Sequence, residues 1–291
     1  MALKSLGDTL RLLVITPYVW FTGIFAALSI LLVYIVYQNL GIIAAVPVGV
    51  ILLFILPSLM VGTYGIILEN HGSPKVYFKY VRYGYLRCLF PFLFVIIMWA
   101  VLTLLIKYIA AHFAVSIDII SISMITAIPI FFFCYFADIS ALINSGGIFK
   151  SIKESAVRVA NGSFSVTAFY LFNISAFILM SIVFSIILSM FVIGSTDILT
   201  SFTESEILSM SQAELYSFAE ASMNDFFLTP EGLTSRIISL SICALFFFPF
   251  FVTYKACYFK RLITSAPINR QPNAAEADGE YDEKGRWFKY K

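Results

Sequence analysis

The chain of 291 residues reads as an all-α integral membrane protein with six transmembrane helices, built as three repeats of an amphipathic helix plus two spans. Three observations predict this. Hydrophobic residues make up 60% of the sequence and charged ones only 12%, about half the charged share of a soluble domain. Six apolar stretches without Lys, Arg, Asp or Glu approach or exceed the roughly 20 residues that cross a bilayer as a helix. The bases fall on alternate sides of those stretches, as the retention of positive charge on one face demands.

The composition excludes a soluble enzyme, a disulfide scaffold, a disordered chain and a nucleic-acid binder, since a net charge of +2 cannot neutralise a run of phosphates. Cys88, Cys134, Cys243 and Cys257 lie in or beside apolar runs with no CxxC spacing, and read as small core residues. Lys4 and Arg11 precede a long apolar run without a small-residue cleavage site, so the first segment reads as a retained span and not as a signal peptide.

In order, residues 2–14 form an amphipathic helix that leads into the first span, Leu12 to Tyr37, and the second span runs from Leu40 to Leu68 around Pro57. Pro74 opens a second amphipathic segment, in which Lys75, Lys79 and Arg82 lie opposite Phe78, Val81 and Tyr85. The third span is Cys88 to Ile106, and the fourth, Ile119 to Ala137, contains Pro129. A third amphipathic segment, 148–161, precedes the fifth span, Phe164 to Ile193, whose Asn173 and serines read as an interhelical packing stripe. An acidic loop, 195–235, has capping boxes at Thr203 to Glu206 and Ser211 to Glu214, which predict a short helical lid. The sixth span, Ile237 to Tyr254, contains Pro249, and residues 263–291 read as a flexible polar cytoplasmic tail.

Of the 19 bases, 17 lie on the side of the termini, whereas the opposite side holds only Lys107 and Arg236 and seven acids of the long loop. Both termini therefore face the cytoplasm and the acidic loop faces out, in a cell-membrane protein.

The repeat is read from one register. Leu3-Lys4-Ser5-Leu6 matches Phe149-Lys150-Ser151-Ile152 in type, with Asp8 on Glu154, and Pro57 precedes Lys79 by the same distance that Pro129 precedes Ser151. The units are about 1–73, 74–146 and 147–262, and Pro57, Pro129 and Pro249 are expected to kink their helices at equivalent places. With Gly147-Ile148-Phe149-Lys150 through Phe164 as its most typical stretch, the chain resembles a loose group of poorly characterised prokaryotic and archaeal multi-pass membrane proteins. That group includes the membrane domain preceding some glycerophosphodiester phosphodiesterases. The resemblance implies a multi-helix membrane module; it carries over no functional residue, and the catalytic domain has no counterpart here.

Charges within spans mark candidate sites. Asp138 and Lys255 follow their repeat prolines by nine and six residues, so they reach similar depth and can pair. Lys75, Lys79 and Arg82 form a basic stripe beside Tyr83 and Tyr85, suited to anionic lipid at the inner leaflet. Lys107, His112 and Asp118 sit at the outer boundary and read as interfacial anchors. No residues have the spacing of a metal, cofactor or catalytic site. The reading favoured is a non-catalytic module: a scaffold, a subunit partnered by other membrane proteins, or a lipid-organising protein. The alternative is a transporter or channel with a site between the repeats. A membrane-embedded lipid enzyme comes third and needs Asp138, Glu69 and His71 brought together.

Overall fold

The computed structural model describes residues 1–113, 118–143, 147–195, 211, 226, 229–265, 279–281 and 287–289. The helices are α1 (Ala2–Ile15), α2 (Phe21–Leu40), α3 (Ile42–Glu69), α4 (Pro74–His112), α5 (Ile119–Cys134), α6 (Ala137–Ile143), α7 (Gly147–Asn161), α8 (Ser163–Ser195) and α9 (Pro230–Ser265). Six stretches are long and apolar enough to cross a membrane: α2 with its preceding turn, α3, α4, α5 with α6, most of α8, and α9. The chain is thus an all-α, multi-pass, membrane-embedded protein. In the tail, β1 (Gly279–Tyr281) pairs antiparallel with β2 (Trp287–Lys289), so part of the segment expected to be flexible forms a short hairpin. Apart from Ser211, the two capping boxes of the acidic loop lie outside the described residues.

Local chemistry sets the turns. Gly41 joins α2 to α3 at φ +76, a conformation that an L side chain resists. Asn70 closes α3 in the left-handed region, and the Ser73 hydroxyl then accepts the Val76 N–H to start α4, with Pro74 in its first turn.

The helix boundaries correct the sequence reading at two places. Thr16 is extended and Pro17–Trp20 forms a 3-10 turn, so Leu12 to Ile15 belong to α1 and the first span starts at Pro17. The basic segment 75–87 is not a separate amphipathic helix. It is the first part of α4, whose 39 residues extend about 58 Å, well beyond the hydrocarbon thickness of about 30 Å. Gly84, the one candidate breaker between Pro74 and Cys88, is instead a contact point, since a Cβ there would lie 2.6 Å from Val61 and 2.7 Å from Leu142.

The three prolines also differ. Pro57 and Pro249 lie inside the continuous helices α3 and α9, whereas the helix containing Pro129 ends at Cys134 and resumes as α6 after Tyr135 and Phe136. Side chains from other helices satisfy the backbone at that break, as lipid requires. Ser155 Oγ donates to the Phe133 carbonyl at 2.7 Å and accepts the Phe136 N–H at 3.2 Å, while Tyr170 donates to the Phe132 carbonyl at 2.7 Å.

Helix α9 is central, packing against α1, α2, α3 and α8, while α3 packs on α4 and α4 on α5, α6 and α7. Small residues permit the closest approaches. A Cβ on Gly23 of α2 would come within 2.3 Å of the Leu245 carbonyl oxygen and 2.7 Å of the Pro249 ring on α9. Glycines 62 and 65 of α3 likewise seat the rings of Tyr77 and Tyr80.

Helices α1 and α7 bury the same register of the aligned segments: Ser5 and Thr9 in one, Ser151 and Ser155 in the other, all at 0% exposure. Several of their large apolar residues, Leu10, Val14 and Phe149, are exposed, while Val159 of α7 is buried in the core. The small hydroxyl stripe allows close packing against the bundle, and the exposed apolar side chains have hydrocarbon to face.

Candidate functional site

The aromatic core at the base-rich end encloses the charges singled out from the sequence. Phe136 stacks on Phe259 at 5.4 Å, and Phe169 stacks on Tyr254 at 4.8 Å and on Tyr258 at 4.4 Å, so the break before α6 shares one set of rings with α8 and α9. Beside it, Lys255 Nζ of α9 donates to Asp138 Oδ2 of α6 at 2.7 Å, with both side chains about nine-tenths buried.

The carboxylate accepts two further hydrogen bonds from within the protein. Tyr64 OH of α3 donates to the same Oδ2 at 3.1 Å, and the Ile139 N–H donates to Oδ1 at 2.8 Å. Cys88 of α4 donates its thiol to the Asp138 carbonyl at 3.0 Å. The ammonium lies 4.5 Å from the centre of the Tyr135 ring and 5.8 Å from that of Tyr64, where ring faces stabilise a cation that has left water. The break after Pro129 makes this arrangement possible: it ends one helix at Cys134 and re-aims the chain so that Asp138 enters the core in the first turn of α6. Four helices thus meet at one ion pair, with its hydrogen bonds supplied from within the protein.

The basic stripe is divided differently from the sequence reading. Lys75, Lys79 and Arg82 are all exposed, but Lys79 pairs with Glu69 at 2.8 Å and Arg82 lies 5.4 Å over the Tyr83 ring. Lys75 and Arg82 therefore remain as the outward-facing charges of the stripe. The residues of the enzyme reading go to separate places: Asp138 to Lys255, Glu69 to Lys79, and His71 to a cleft with Arg11 and Lys260. At the opposite end Asp118 caps α5 by accepting the Ile120 and Ser121 N–H groups, while Lys107 and His112 are exposed.

Two clefts accompany the pair. One, of about 780 Å³, lies between α2, α3 and α9 toward the base-poor end and is almost wholly apolar, with Tyr34 at its rim donating to or accepting from Thr234 at 2.6 Å. The other, of about 630 Å³, lies at the base-rich end between α1, the end of α3 and the last turns of α9. Neither Asp138 nor Lys255 lines either cleft. The serines expected to form a packing stripe on α8, Ser175, Ser181, Ser185 and Ser189, are instead exposed, and each returns its hydroxyl to the carbonyl four residues earlier.

Sequence reasoning found Asp138 and Lys255 but missed Tyr64, Cys88 and Tyr135, because a tyrosine or cysteine within an apolar run has no local mark of its partner. Asp8 and Arg261 were missed together. They form a two-bond contact at 2.8 and 2.6 Å that ties the first helix to the last, and their separation in sequence leaves no spacing to read. Compared with known protein families, curated proteins and solved structures, the chain finds no match in any of the three.

Proposed function

We propose that the chain is a non-catalytic multi-pass module of the cell membrane, acting as a scaffold, a subunit partnered by other membrane proteins, or an organiser of lipid, with both termini in the cytoplasm. The observation that carries this reading is the closed state of its buried charges. An acid, base or relay that acts on a substrate needs a valence facing the reactant. Asp138 spends its oxygens on Lys255, Tyr64 and a backbone N–H, and the ammonium is sided by rings. A pair of that kind suits a fixed junction between helices, where it selects one packing over its competitors. The distribution of bases supports the orientation, and the outward bases Lys75 and Arg82 support an attraction to anionic lipid at the inner leaflet. The likeness to membrane domains that precede phosphodiesterases belongs to the same proposal and rests on architecture.

One observation favours a transporter as the second reading: an ionisable pair sits beside a broken helix, the setting in which transporters bind coupling ions. Proteoliposomes holding an imposed proton gradient separate the two. With the full chain incorporated, the gradient is expected to decay at the rate of protein-free vesicles. Rapid decay that D138N abolishes would replace the module with a proton-coupled transporter.

A further inference from the structure

The cleft at the base-rich end has chemistry that the ion pair does not use. Arg11 of α1 and Lys260 and Arg261 of α9 line it together with a single acid, Asp8, so three bases face one carboxylate. Asp8 accepts from Nε and Nη2 of Arg261, and among the described residues the remaining guanidinium donors of that side chain have no partner. Lys260 donates to the Ile67 carbonyl and to Asn70 Oδ1 at the end of α3, which holds the ammonium in place with one of its three donors left. Arg11 is exposed and has no partner among the described residues. His71, at the α3–α4 turn, lines the same cleft.

The same cleft is also lined by apolar side chains, Ile15 of α1 one turn beyond Arg11 and Ile66 and Ile67 of α3. The position matches this mixed lining. The first span begins at Pro17, just beyond Ile15, and α1 turns Leu10 and Val14 away from the protein. The cleft therefore opens where the membrane surface meets water. An anion with several acceptor oxygens would supply the missing counter-charge, and guanidinium groups suit the oxygens of a phosphate.

We infer that this cleft is a binding site for a phosphate group, held by Arg11, Lys260 and Arg261. The phosphate belongs either to the headgroup of an anionic phospholipid, with its first chain carbons against Ile15, or to a soluble phosphate. The inference deepens the lipid-organising part of the proposed function by naming where lipid is held.

The test uses the full chain released from nanodiscs of mixed phosphatidylglycerol and phosphatidylcholine into a native mass spectrometer, and in parallel a calorimetric titration with inorganic phosphate in lipid-free detergent. R11Q/R261Q is compared with K150Q/K153Q, which removes two exposed bases of α7 at the same end. Retention of one phosphatidylglycerol per chain is expected for the wild type, with a loss of about tenfold in R11Q/R261Q and a change of under about twofold in K150Q/K153Q. If phosphatidylglycerol is not retained but inorganic phosphate binds and R11Q/R261Q weakens it, the source is a soluble phosphate. Arg11 makes no ion pair or hydrogen bond among the described residues, so R11Q alone leaves the protein's internal contacts intact and is expected to act in the same direction, by about threefold, should the double variant fail to fold. Equal binding by R11Q and K150Q/K153Q, or no binding of either probe to the wild type, would overturn the site. That outcome leaves the proton-gradient experiment untouched, so the two readings fail separately.

Discussion

The two ends of the helix bundle are built on different principles. At the base-rich end, α1, α3, α4, α6, α7, α8 and α9 enclose stacked rings, a hydroxyl-lined helix break and the Asp138–Lys255 pair. Toward the other end, α2, α3 and α9 leave an apolar cleft of about 780 Å³, and α8 turns Phe177, Ile178 and Leu179 away from its neighbours. Lipid tails are as apolar as these side chains, so burying them against one another gains little. What fixes helices in a bilayer is close packing of small and aromatic groups, together with polar contacts that have no competitor in hydrocarbon. The base-rich end has all of these.

Helix α8 passes through both regions and offers the largest contrast. Phe169 is fully buried and stacks on two tyrosines, whereas Phe177, two turns on, is 57% exposed. Phe169→Ala is expected to cost about 3–5 kcal/mol of unfolding free energy, measured by denaturant titration in mixed micelles. Phe177→Ala is expected to change it by under about 0.5 kcal/mol. Equal effects would mean that the base-poor end packs as tightly as the other.

A smaller effect sharpens the boundary between the ends. At Gly23 the neighbours that a methyl group would meet are a backbone carbonyl and a proline ring, neither of which can swing aside. Gly23→Ala should therefore separate α2 from α9 and destabilise the protein by about 1–3 kcal/mol in the same titration. Gly49 borders the apolar cleft and has only Val33 at 3.7 Å, so Gly49→Ala serves as the matched change and should be neutral or slightly stabilising.

These contrasts show which parts of the fold are legible in the sequence. The spans are, because uninterrupted apolar length is itself the physical requirement for crossing a membrane. The ion pair is, because two charges at similar depth in hydrocarbon have few ways to be satisfied. The break at Tyr135 and Phe136 is hidden, since it lies within an unbroken apolar run and is stabilised by Ser155 and Tyr170 from other helices. The continuity of α4 is hidden for the opposite reason: the sequence changes from basic to apolar at Cys88 while the backbone does not change at all. The phosphate cleft gathers Arg11 from the start of the chain and Lys260 and Arg261 from the end of the last span, so only the closed bundle brings them together.

The central claim is that the Asp138–Lys255 pair is a structural junction that locks α6 to α9. A double-mutant cycle with D138N, K255M and the combined variant, in lipid nanodiscs, tests it most directly. Each single change leaves one partner buried and unmatched, and is expected to cost about 3–5 kcal/mol. The combined variant removes both charges and should cost far less than the sum, with a coupling of about 2–3 kcal/mol. Losses that add to within about 0.5 kcal/mol would contradict the junction, because two side chains that act independently do not hold two helices together.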